Sequence, residues 1–181
     1  MKAILLPALF SFALASTSPA QTCREVVRDS SGRIVQTIDR QKTAGGTVYS
    51  TTRDASGRII GTATTRPNSG GNSQTTYRDA NGRMSGSAST QGNSSSSSHT
   101  TYRDASGRMA GSASTSKAGS GSHTTYRDSS GRLTGSQTTH GNGTMTTTQR
   151  DGSGRLTGNS TGNGKCQGVV RVPVPPTTVT R

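Results

Sequence analysis

The chain has 181 residues, of which only 25% are hydrophobic and 3% aromatic, and its 21 Lys and Arg face 8 Asp and Glu, a formal charge of +13. A chain of this length normally buries a thick apolar interior; this composition excludes one built of Leu and Phe. So basic a balance bears on solubility and on anionic partners, not on the fold.

The first twenty residues read as a secretory signal. Lys2 gives a positive start, "AILLPALFSFALA" supplies an apolar stretch, and "SPA" places small residues before a cut at Ala20. The stretch is too short to span a membrane comfortably, so no transmembrane segment is expected in the mature chain. Export of a bacterial Sec type follows as the expectation, to the periplasm, the cell surface or the medium. Without residues 1–20 the chain keeps nine Val, four Ile and two Leu, and 20 Lys and Arg against 8 Asp and Glu, a formal +12. Such a chain is either largely disordered or held by repeated local hydrogen bonding in thin layers.

From residue 28 onward one motif recurs six times. Arg28-Asp-Ser-Ser-Gly-Arg33, Arg53-Asp-Ala-Ser-Gly-Arg58 and Arg78-Asp-Ala-Asn-Gly-Arg83 are followed by Arg103-Asp-Ala-Ser-Gly-Arg108, Arg127-Asp-Ser-Ser-Gly-Arg132 and Arg150-Asp-Gly-Ser-Gly-Arg155. The starts are 25, 25, 25, 24 and 23 residues apart, the signature of a repeat architecture. Asp opens a type I turn by accepting from amides ahead of it, and Gly takes the left-handed conformation after it. Together they form the three-residue hairpin loop with a G1 bulge. The predicted turns are therefore Asp29–Gly32, Asp54–Gly57, Asp79–Gly82, Asp104–Gly107, Asp128–Gly131 and Asp151–Gly154.

The flanks, such as "QTTYR" before the turn and "RMSGSAST" after it, are Thr-rich with isolated Tyr, Met or Leu, as half-buried strands are. In this hairpin register Asp79 faces Arg83, Arg78 faces Met84 and Tyr77 faces Ser85. The Asp pairs with the second Arg. The first one, at Arg28, Arg53, Arg78, Arg103, Arg127 and Arg150, is left over for an anionic partner. Ile34, Ile59, Met84, Met109, Leu133 and Leu156 follow the second Arg, and Gly61, Gly86, Gly111, Gly135 and Gly158 recur two residues later. Alternation puts apolar residue and Gly on one face, a thin inner layer with close backbone approach. "RPNSGGNSQ", "QGNSSSSSH" and "SKAGSGSH" read as loops between hairpins. The predicted fold is all-β: six hairpin repeats of about 25 residues, solenoid-like or a curved meander, over residues 21–166, with a Pro-rich tail at 167–181.

"RDSSGRLTG" at 127–135 and "RDGSGRLTG" at 150–158 resemble the YD repeat of Rhs-type and teneurin-type proteins, whose core is Tyr-Asp-x-x-Gly-Arg-Leu. The resemblance covers the six turns and implies hairpins in an extracellular repeat surface. It departs at the residue before Asp, which is Arg in all six copies, and no toxin domain follows. A more distant similarity is to curli-type strand–turn–strand repeats.

Little in the chain suggests catalysis. Six of the eight acids are turn aspartates, and Glu25 and Asp39 are isolated in sequence, so no paired-carboxylate site is expected. His99 and His123 occupy equivalent places in successive repeats and could approach each other, but two imidazoles make a poor metal site. No catalytic, cofactor or metal residue is assigned. Cys23 and Cys166 bracket the repeats and suggest a disulfide, which within one chain requires the array to curve back on itself; a bond between subunits is the alternative. The expected function is that of a secreted, non-enzymatic structural or adhesive protein holding anionic extracellular polymers such as DNA, lipopolysaccharide or acidic polysaccharide. Alternatives are a self-associating fibre subunit and an ice- or carbohydrate-binding array of Thr and Ser.

Overall fold

The structure is a computed structural model and describes residues 21–93 and 97–163. The expected signal, Cys166 and the tail at 167–181 lie outside the described residues. The described chain is all-β. Its strands are β1 (Gln21–Asp29), β2 (Ile34–Lys42), β3 (Val48–Asp54), β4 (Ile59–Pro67), β5 (Ser73–Asp79) and β6 (Met84–Asn93). Then come β7 (Ser97–Asp104), β8 (Met109–Ala118), β9 (Gly121–Asp128), β10 (Leu133–Thr139), β11 (Met145–Arg150) and β12 (Leu156–Asn163).

Each repeat motif joins an odd strand to the next even one, so all six turns lie at one end of the molecule. Every strand pairs antiparallel with its sequence neighbours, and β1 pairs with β12 from Arg24↔Asn163 to Asp29↔Gly158. The result is a closed twelve-stranded barrel, not the open solenoid or array that the repeat suggested. An open array would leave β1 and β12 with a row of unpaired amides and carbonyls; closure satisfies both.

Two irregularities shape each hairpin. The first is the expected turn, closed by amide-to-carbonyl bonds such as Asp29 N to Arg33 O at 2.9 Å and Gly32 N to Asp29 O at 3.0 Å. The second is an extra residue one step further along. Arg28 opposes Ile34 while Val27 opposes Gln36, which leaves Val35 bulged. Ile60, Ser85, Ala110, Thr134 and Thr157 hold the same position in the other copies. Tyr77 therefore faces Gly86 instead of Ser85, while Arg78 faces Met84 as expected.

This bulge overturns the apolar inner layer. A bulge changes which face the following residue meets, so Ile34, Ile59, Met84, Met109, Leu133 and Leu156 share the outer face with the arginines opposite them. They are 41–50% exposed. The glycines do lie inside as predicted. A Cβ on Gly86 would sit 2.6 Å from the Arg103 carbonyl oxygen, and one on Gly111 would sit 2.5 Å from that of Arg127. Glycine here lets one hairpin close against the next.

The interior is built mostly of small residues. Tyr77, Ala88, Tyr102 and Ala113 form one cluster, with Ala63 and Tyr126 packed against it. Thr52, Thr65, Thr75, Thr124 and Thr147 are buried around them, and the Thr65 and Thr75 hydroxyls bond each other at 2.8 Å. Tyr126 donates its hydroxyl to Gln137 Oε1 at 2.6 Å. Burial raises the phenol pKa of both Tyr77 and Tyr102; at Tyr77 the positive charge of Arg40 acts the other way. The end away from the repeat turns is packed more fully, with Val48, Met145 and Cys23 almost inaccessible.

Of the stretches read as loops, "RPNSGGNSQ" does carry a connection, residues 68–72 with the short turn Ser69–Gly71, while the described residues of the other two are largely strand. "SKAGSGSH" belongs to β8 and β9 apart from a two-residue connection, Gly119 and Ser120. Hairpins pair with their neighbours as well as within themselves, which uses this backbone. Outward strand positions carry mainly Thr, Ser and charged residues, apart from the ring of Ile, Met and Leu beside the turns and the exposed Tyr49. No helix among the described residues is long and apolar enough to cross a membrane.

Candidate functional site

The turn end of the barrel is a charged crown. In every copy the Asp carboxylate is engaged by backbone amides. Asp29 Oδ1 accepts from Ser31 N at 2.9 Å and Arg33 N at 3.0 Å, and Asp54, Asp79, Asp104, Asp128 and Asp151 repeat the pattern. Gly32, Gly57, Gly82, Gly107, Gly131 and Gly154 adopt φ between +77° and +85°, a region open to glycine at little cost. Where Ser lies two residues after the Asp, its hydroxyl can join in. Ser31, Ser56 and Ser153 donate to Asp29, Asp54 and Asp151 at 2.6–2.7 Å. That hydroxyl bond is the first cause that lowers these three carboxyl pKa values, Asp29 to about 2.

The arginines play two parts. The second Arg of the motif reaches the turn carboxylate in two copies: Arg33 Nε lies 3.0 Å from Asp29 Oδ2, and Arg58 Nε lies 3.5 Å from Asp54 Oδ2. These pairs are solvent-exposed and contribute little to stability. The first Arg is not simply left over. Arg28, Arg53, Arg78, Arg103, Arg127 and Arg150 each donate Nη1 to the carbonyl of the turn glycine, at 2.7–3.1 Å. A guanidinium has five N–H donors, so this bond fixes its place and leaves further donors directed outward.

Charge is concentrated here. The crown holds twelve Arg and six Asp, a net +6, which is half of the +12 left by 20 basic and 8 acidic residues once 1–20 are set aside. Just below the tips the outer face alternates Arg and apolar residues around the rim. The directly opposed pairs are Arg28–Ile34, Arg53–Ile59, Arg78–Met84, Arg103–Met109, Arg127–Leu133 and Arg150–Leu156.

The acids isolated in sequence are paired in space. Asp39 opposes Arg24 across β1 and β2, and Arg24 Nε lies 2.6 Å from Asp39 Oδ1. Glu25 is buried beside the β1–β12 seam. Its Oε1 accepts from Ser160 of β12, and Arg40 Nη1 lies 2.8 Å from its Oε2 as an ion pair, without directed hydrogen-bond geometry. The unbulged hairpin register hides this pair, because it sets Glu25 opposite Thr37 and Arg40 on the other face; the bulge at Val35 moves Glu25 opposite Ile38 and turns Arg40 inward beside it.

His99 and His123 are two strands apart and do not meet. They line an open depression on the outer wall with Ser97, Ser98, Ser114, Thr115, Ser116 and Thr125. His99 Nδ1 lies 3.4 Å from Ser114 Oγ, and His123 Nδ1 lies 3.4 Å from Thr138 Oγ1. Cys23 is buried and disulfide-bonded; Cys166, its expected partner, lies outside the described residues. No family model and no curated protein matches the chain.

Proposed function

We propose that the protein is a secreted, non-enzymatic surface protein whose arginine crown holds anionic extracellular polymers. One observation carries this reading: six turns with two arginines and one aspartate each are gathered at one end of one barrel. A polymer presents many charges at once, and six equivalent sites on a rigid frame engage it with avidity that no single weak contact supplies. The opening twenty residues and the extracellular character of the YD-type resemblance support the location. The clasp fits as well: Arg24 pairs with Asn163, so chain leaving β12 starts beside Cys23, and we propose that Cys166, three residues on, is its partner.

Titration of duplex DNA and acidic polysaccharide against the signal-less protein, at rising salt, tests the proposal. Counterion release predicts log affinity falling linearly with log salt, with a slope that shrinks as crown arginines become Gln. Salt-independent affinity, or a slope untouched by Arg78→Gln, Arg103→Gln and Arg127→Gln together, would sink it.

One observation favours a second reading, a saccharide-binding wall. Ser114, Thr125, Ser136 and Thr148 stand in a cross-strand row on the outer face, and Ser136 and Thr148 bond at 3.0 Å. The fibre reading draws less support, because closure leaves no strand edge among the described strands for edge-on addition.

A further inference from the structure

We infer that the polymer this crown selects is a uronate-bearing polysaccharide, an inference that rests on the polyanion reading above. The observation is the rim, where each outward guanidinium stands directly opposite an exposed Ile, Met or Leu. Nothing in the turn itself requires an apolar residue there. The turn is closed by backbone bonds, the Asp carboxylate and the first arginine, all described above.

The pairing matches one chemistry. A uronic acid ring carries a carboxylate at its edge and a face of C–H groups beside it. The carboxylate fits the fork of a guanidinium whose position is already fixed by its bond to the turn glycine. The C–H face covers the neighbouring apolar side chain, removing its exposed area from water. Ser and Thr on the outer wall just below the rim, such as Ser87, Ser112 and Ser136, offer hydroxyls to the sugar.

Single-stranded nucleic acid fits less well. Its bases call for aromatic platforms, and the rim positions are Arg, Ile, Met and Leu. A second copy of this chain fits less well too, since two crowns of +6 repel.

Alginate serves as the polyuronate probe, duplex DNA as the charge control and dextran as the neutral control. In the belt variant Ile59→Thr, Met84→Thr and Met109→Thr, alginate affinity is expected to fall at least about tenfold while DNA affinity stays within about twofold. Met84→Leu with Met109→Leu should keep wild-type alginate affinity, and circular dichroism should show that both variants are folded. Equal losses for alginate and DNA, or no loss for either, would overturn the polyuronate assignment and leave the broader reading standing. Failure of the wild-type protein to bind any polyanion would overturn both. Dextran binding as tight as alginate binding would show that the carboxylate is not recognised, and would overturn this inference alone.

Discussion

The two ends of the barrel are made differently. At the crown the chain writes the same six-residue turn six times, each closed by the same backbone bonds and carrying the same net charge, over an interior lined by glycine. At the other end the connections differ from one another. Residues 43–47 and 140–144 form three-residue loops with Gly46 and Gly143 at φ +82° and +84°. Ser69–Gly71 forms a short helical turn, and β8 meets β9 through two residues. A second, smaller cluster, Cys23 with Val48, lies there, and Val48 and Met145 are among the least accessible side chains of the barrel. Gly162 makes room for Met145: a Cβ on it would sit 2.9 Å from the sulfur. The drift of the repeat from 25 to 23 residues is taken up at this end and in the strands, never in a crown turn. Uniformity is kept where charge is displayed, and several of the least accessible side chains, Val48, Thr65 and Met145, stand where uniformity is absent.

If that division is real, the largest losses should come from single sites away from the crown. Arg40→Leu leaves Glu25 charged and buried at the seam, a situation that costs about 3–5 kcal/mol. Glu25→Gln with Arg40→Leu should recover most of that loss, because both charges leave together. Urea unfolding of the three variants reads the difference. An Arg40→Leu protein as stable as the parent would show that the seam does not anchor the barrel.

The next effect tests the glycine lining. Gly86→Ala places a methyl group against the backbone carbonyl of Arg103, which cannot swing aside as a side chain could. Overpacking of this kind costs about 1–3 kcal/mol. Gly86 has ordinary φ, so strain in its own backbone does not enter. Thermal melting of Gly86→Ala beside Gly111→Ala should give similar losses, since the two sites have the same neighbours one repeat apart.

The crown was readable in advance because its determinants are local. Asp, Gly and the two arginines of each turn act within six residues, so one motif defines the bonds. The six-strand-pair architecture followed from the repeat alone. Closure was not readable: it depends on Arg24 to Asp29 meeting Gly158 to Asn163 across the whole chain. The facing of Ile34 and its equivalents was misread for a subtler reason. One unpaired residue, such as Val35 or Ser85, reverses the alternation, and nothing in its side chain marks it as a bulge. The same bulge hid the Glu25–Arg40 pair: with Val35 counted as paired, residues 25 and 40 fall on opposite faces of the sheet.

A smaller effect is expected inside the crown. Gly57 has φ +85° with nothing within 4 Å of where a Cβ would stand. Gly57→Ala therefore adds left-handed strain without a clash, about 1–2 kcal/mol. Set beside Gly86→Ala in the next repeat, it separates the two reasons for glycine in this motif. Amide exchange should show the loss confined to the β3–β4 turn; a loss spread over the whole barrel would mean that the turns are not independent units.

The smallest effect lies in single hydroxyl groups. Ser31 lowers the Asp29 carboxyl pKa to about 2, helped by the Arg33 amide and guanidinium and opposed by partial desolvation. A carboxyl whose folded pKa lies below its unfolded value, ordinarily about 3.9, stabilises the fold when ionised. The contribution is complete above the unfolded pKa and is lost as pH falls through the folded one. For Asp29 that window runs from about pH 4 down to about pH 2. Ser31→Ala should raise the Asp29 pKa toward the ordinary carboxylate range and narrow the window from below, with a small loss of stability that is complete at neutral pH and vanishes below the folded pKa. Carboxyl carbon shifts followed by NMR titration measure this directly. The barrel should stay folded through the change, because five other turns carry the crown and the packed end does not titrate with it. A barrel that instead came apart when this one serine was lost would show that the crown turns hold the barrel closed as well as displaying charge.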